Sequence, residues 1–124
     1  MTIKVLFIPV NGAPEIREIE NGLRPMQNLV GGHIEVFPLD SLGPSPNLNA
    51  LAVLNEEGKF KPGFMPNRNI YHLGRVFDTF YGGFFICGTN EEGELVSITS
   101  KQEAYYSRMF KLHMPPNGIK SGGK

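Results

Sequence analysis

The sequence predicts an α+β domain: a mainly antiparallel sheet packed by two helices, with one long basic and aromatic loop. Three observations carry this. Short apolar runs recur between clusters of Asn, Gly and Pro at hairpin spacing, helical periodicity is confined to residues 21–32 and 100–112, and 124 residues suffice for one core and not two. Residues 1–113 are therefore expected to form a single domain. Residues 114–124, rich in Pro and Gly, are expected to form a loose tail.

Taken in order, Ile3 to Ile8 is a nearly continuous apolar run, the pattern of an interior strand, and Pro9 and Asn11-Gly12 end it. Glu15 to Glu20 lies at hairpin distance and is read as a second strand. Leu23, Met26, Leu29 and Val30 share one helical face, Pro25 is tolerated in a first turn, and Gly31-Gly32 is a left-handed stop. The strand 33–39 follows, then a loop rich in Pro and Gly over Ser41 to Asn47, then a strand over Ala50 to Leu54. Asn55-Glu-Glu-Gly58 and Asn90-Glu-Glu-Gly93 repeat four letters. Adjacent glutamates are not spaced like the alternating oxygen ligands of a calcium loop, so both are read as tight turns, with Gly58 and Gly93 at positive φ. Strands over 83–87 and 94–98 lead to a last helix. There Ser100 and Glu103 are expected to form a capping box, and Ala104, Tyr105, Arg108, Met109 and Leu112 one face.

Expected to be buried are Ile3, Val5, Phe7, Leu23, Met26, Leu29, Val30, Ile34, Val36, Phe85 and Val96. Cys87, alone in the chain and set in an apolar run, is read as core. No apolar run reaches the roughly 18 residues of a membrane span, and the N-terminal run is too short for a signal peptide, so a cytoplasmic protein without a membrane partner is expected. Twelve basic and twelve acidic residues cancel, which argues against binding duplex nucleic acid. The charge is uneven: residues 1–57 hold three basic and seven acidic side chains, residues 58–124 nine and five. No metal-ligand spacing, phosphate-binding glycine loop or nucleophile elbow occurs, so neither an enzyme nor a cofactor is expected.

Residues 60–78 fit no simple element. They carry Lys61, Arg68, His72 and Arg75, with no acid before Asp78, interleaved with Phe60, Phe64, Tyr71 and Phe77. Long irregular loops in compact domains commonly carry function.

Leu29-Val-Gly-Gly-His-Ile-Glu-Val36, Leu54-Asn-Glu-Glu-Gly-Lys59, Pro66-Asn-Arg68 and Phe84-Phe-Ile-Cys-Gly88 together resemble the motifs of a family of small phage and mobile-element proteins known only as a domain of unknown function. The resemblance covers roughly residues 3 to 110, with Pro62 to Phe77 longer and more basic than the family's pattern. It implies a phage or integrated-element provenance and, with it, a role against host defence. Two readings follow. In the first, the chain sequesters a small anionic nucleotide signal, a cyclic oligonucleotide or cyclic ADP-ribose variant. Asn67, Arg68, Arg75 and Arg108 would hold its phosphates and Tyr71, Phe77 and Tyr105 its base, with His72 also among the binding residues. The site would be shared in a homo-oligomer, most simply a two-fold dimer, with Asn67, Arg68 and Arg75 of one chain near Tyr105 and Arg108 of its neighbour. In the second, the chain binds a host defence protein through acids of its first half: Glu15, Glu18, Glu20, Glu35 and Asp40.

Overall fold

In the computed structural model, which describes residues 1–111, eight strands and two α-helices occur in the order β1 (Thr2–Ile8), β2 (Glu15–Glu20), α1 (Leu23–Val30), β3 (Ile34–Pro38), β4 (Ala50–Asn55), β5 (Pro66–His72), β6 (Arg75–Tyr81), β7 (Phe84–Thr89), β8 (Leu95–Val96) and α2 (Ser100–Met109). The main sheet runs β2-β1-β7-β4-β3, with β8 on β7, and β5-β6 is a separate two-stranded sheet. Every pairing is antiparallel. The expected tail at 114–124 and Leu112 lie outside the described residues.

The apolar runs explain the order. β1, β4 and β7 are buried along nearly their whole length and take the three central places, while β2, with its alternating charges, takes an edge. One face of the sheet, Ile3, Val5, Phe7, Val53, Phe85 and Cys87, packs on Met26 and Val30 of α1. The other, Leu6, Ile8, Ala52, Leu54, Phe84 and Ile86, packs on Ile70 and Phe80 of the β5-β6 hairpin and on Tyr106 and Phe110. The molecule thus has three layers, helix, sheet, and hairpin with helix.

Four expectations change. Residues 60–78 are not an irregular loop: a short 3-10 turn over Gly58–Phe60 leads into the β5-β6 hairpin. The alternation that would have announced β5 is hidden because Asn67, Arg68 and Asn69 are polar and buried. Leu23 and Val36 are exposed, since the eight-residue α1 covers only part of its sheet face. The capping box of α2 sits one residue earlier, with Thr99 accepting from Gln102 N–H at 3.1 Å and the Gln102 side chain accepting from Thr99 N–H at 2.8 Å. Its buried face is correspondingly Gln102, Tyr106 and Phe110, leaving Arg108 and Met109 in solvent. The repeated turns also part company. Gly93 closes the β7-β8 hairpin at φ 81°, whereas Gly58 is not at positive φ: it opens the 3-10 turn Gly58–Phe60 and is required for space, since a Cβ there would stand 2.9 Å from Tyr81 O.

Candidate binding face

The hairpin has a buried end and a free end. At the buried end the chain bulges between Pro66 and Arg68. That turns Asn67 inward, where its Nδ2 donates to Ile8 O at 2.8 Å and to Gly82 O at 2.9 Å. Arg68, 1% exposed, is held almost entirely by oxygen acceptors of the backbone. Its Nε donates to Phe110 O at 3.1 Å, Nη1 to Asn67 O at 3.3 Å and Asn67 Oδ1 at 2.7 Å, and Nη2 to Gly12 O at 2.6 Å. No carboxylate takes part, and burial lowers the guanidinium's pKa. The residue therefore ties the β1-β2 turn, the hairpin and the end of α2 together. This withdraws Asn67 and Arg68 from the phosphate-binding role expected of them, because their donors are spent inside the fold.

At the free end, Leu73-Gly74 joins the strands as a two-residue turn with φ 53° and 81°, the pattern of the type I′ turn that suits a twisted hairpin. Around it stand Tyr71, Leu73, Val76 and Phe77, all exposed, with Arg75 opposite His72. The Phe77 ring meets His72 at 5.9 Å and Phe37 of β3 at 6.1 Å between centroids. Tyr71 and Tyr105 come together across a hollow of about 30 Å³, walled by Pro44, Pro46, Tyr106 and Met109. Burial, with Asp40 and Tyr105 adding to it, holds the Tyr106 phenol well above its usual range.

The sequence-predicted residues thus divide. Tyr71, His72, Arg75 and Phe77 share the hairpin's free end, Tyr105 reaches it across the hollow, and Arg108 is exposed on α2. Leu73, Val76 and Met109 were missed by sequence reasoning. The signal available was Leu-Gly between two runs containing aromatic residues, a weaker turn mark than Asn-Gly. Of the acids of the first half, Glu15, Glu18 and Glu20 lie together on the β2 edge, where Glu15 accepts from Arg17 Nε at 2.7 Å, Glu35 is exposed on β3, and Asp40 accepts from Leu48 and Asn49 N–H at 3.1 and 2.9 Å. A larger hollow of about 850 Å³ beside α1, lined by Ile3, Leu23, Met26, Ile34 and Leu95, contains none of the predicted residues. Among the described residues no group of His, Cys, Asp and Glu is placed to hold a metal ion, and no helix is long and apolar enough to cross a membrane.

The family described as Domain of unknown function (DUF3846) matches residues 3–111 of the chain. No curated protein and no solved structure matches it.

Proposed function

We propose that this chain, which belongs to the DUF3846 family, is a protein-binding module that catalyses no reaction and meets its partner with the free end of the β5-β6 hairpin. The observation that carries the reading is Leu73. It is 69% exposed at a left-handed position where Asn or Gly would fold at lower cost. Its Cδ2 lies beside Gly43, 3.2 Å from where a Cβ on that glycine would stand. A leucine there, with Tyr71 and Val76 paired across the strands and Phe77 beside His72, leaves a group of apolar side chains in solvent at the hairpin end, of the kind that marks protein interfaces. On the phage or mobile-element provenance that the sequence resemblance implies, the partner is a host defence protein. The contact face is then the hairpin end; of the acids, Asp40 is already bonded to the Leu48 and Asn49 amides and Glu15 to Arg17.

Nucleotide sequestration stays as the second reading, favoured by Arg75 standing opposite His72 at the same hairpin end as Tyr71 and Phe77. It loses Asn67 and Arg68, and the hollow between Tyr71 and Tyr105 has about the volume of one water molecule, so a base could enter only after the 43–46 loop moves. The shared-dimer version retains Arg75, Arg108 and Tyr105 alone.

A photo-crosslinking phenylalanine analogue at position 73, compared with the same group at Glu92, tests the first reading in the host cell. A discrete protein adduct is expected from position 73 alone, abolished by Phe77→Ser. Equal adducts from both positions, or none, overturn it. Thermal unfolding with cyclic nucleotides is expected to show no shift; a gain of a few kcal/mol at about 100 times the dissociation constant would transfer the conclusion to the second reading.

A further inference from the structure

The loop between β3 and β4 is tied to the hairpin tip by two reciprocal hydrogen bonds. Gly43 N–H donates to His72 Nδ1 at 2.7 Å, and Leu73 N–H donates to Gly43 O at 2.6 Å. The first bond exists only while Nδ1 carries no proton. As imidazolium, His72 has a hydrogen on both ring nitrogens, and one N–H then points at another across hydrogen-bond distance. Behind this tie lies the hollow with Pro44, Ser45 and Pro46 on the loop side and Tyr71, Tyr105 and Met109 on the other. The far end of the loop is anchored separately, by Leu48 and Asn49 N–H on the Asp40 carboxylate.

We infer that His72 is a proton-operated latch: when its ring is protonated, the Gly43 end of the loop leaves the hairpin, pivots about the Asp40 anchor and uncovers the hollow beside Tyr71. The latched state excludes a proton that the open state accepts, so acid favours opening. This acts across about pH 8 to 5, the interval in which histidine changes charge. The charged and titratable groups on the surrounding elements are Arg75, its register partner on β6; Tyr71, its neighbour on β5; Glu35, on the same sheet face as Phe37 of β3; Asp40, at the loop anchor; and Tyr105 on α2. Phe77 packs edge-on to the ring, 5.9 Å between centroids. The latch draws on the contact-face reading only for what it controls, since the released loop adjoins Tyr71 and Leu73.

Amide hydrogen exchange in the full chain, without any partner, tests it. Protection of Gly43 N–H, corrected for the intrinsic pH dependence, is expected to fall about tenfold or more between pH 8 and 5 while that of Ile86 in the central sheet holds. The fall should track the His72 ring ¹⁵N titration. In His72→Gln, whose side-chain oxygen accepts without titrating, protection should not vary with pH; in His72→Ala it should be low throughout. A flat profile in the unaltered chain, an equal fall in the Gln variant, or a parallel fall at Ile86 overturns the latch. None of these outcomes touches the crosslinking result, so the two readings fail separately.

Discussion

Arg68 and Leu73 lie five residues apart on one hairpin and show opposite uses of a side chain. A guanidinium removed from water without a carboxylate is tolerable only when its N–H groups find acceptors, and here the Phe110, Asn67 and Gly12 carbonyls and Asn67 Oδ1 supply them. Arg68→Ala would leave those acceptors unpaired in the interior, so a loss of at least about 3 kcal/mol is expected in denaturant titrations. A loss under 1 kcal/mol would mean that water replaces the guanidinium at little cost. Leu73→Asn should do the reverse. Asparagine suits the left-handed turn, so stability is expected to rise by about 1 kcal/mol, measured as the urea midpoint, while the protein adduct formed by the same photo-crosslinking group placed instead at Val76 is lost. If the variant gains no stability, the leucine is not the folding burden inferred for it.

At the scale of elements, the repeated Asn-Glu-Glu-Gly shows how one string takes two structures. At residues 90–93 the Asn90 side chain accepts from Glu92 and Glu94 N–H at 3.0 and 2.9 Å, and the turn closes a hairpin on itself. At residues 55–58 the chain must instead cross from the sheet to the other layer. Asn55, buried, donates to Val30 O at 3.2 Å and accepts from Glu57 N–H at 2.7 Å, and Gly58 lies against the Tyr81 backbone. Alanine at Gly93 should cost about 1 kcal/mol from positive φ alone. Alanine at Gly58 should cost more, because a backbone carbonyl must move. Equal midpoints for the two variants would contradict the difference in packing. For α2, Thr99→Ala removes one half of the capping box and is expected to cost about 1 kcal/mol.

For the whole molecule, the three-layer arrangement seals the central sheet from both sides, and Cys87 reports it. Burial pushes its thiol up to about 12, against about 8.5 for a free cysteine. The folded chain therefore retains a proton that the unfolded chain gives up. The contribution is fully present below about pH 8.5 and is lost as pH rises toward 12, with Tyr106 acting in the same direction. Raising the pH from 7 to 10 should lower stability by about 2 kcal/mol through Cys87, an effect that Cys87→Ala removes. A pH dependence of the same slope in the alanine variant would place its origin elsewhere. An alkylating reagent at neutral pH should modify Cys87 only after denaturation.

What the sequence by itself determined is whatever rests on local patterning. The apolar runs of β1, β4 and β7 and the short helix with Pro25 early and Gly31 at its end announce themselves because burial along a strand or on one helical face repeats at the element's own period; the last helix was legible as a helix, but its buried face, Gln102, Tyr106 and Phe110, was not. Tertiary structure alone decided the second layer and the candidate face. Asn67 and Arg68 look like loop residues awaiting a ligand because a sequence shows their donors and not the carbonyls of Gly12, Ile8, Gly82 and Phe110, which lie 15 to 59 positions away. The same holds for Gln102, whose Nε2 reaches Leu48 O at 2.6 Å, and for His72, whose acceptor role depends on an amide 29 positions distant. Polar side chains bond whatever the fold brings near them, so their roles follow from chain packing and carry no periodic signature that a sequence could display.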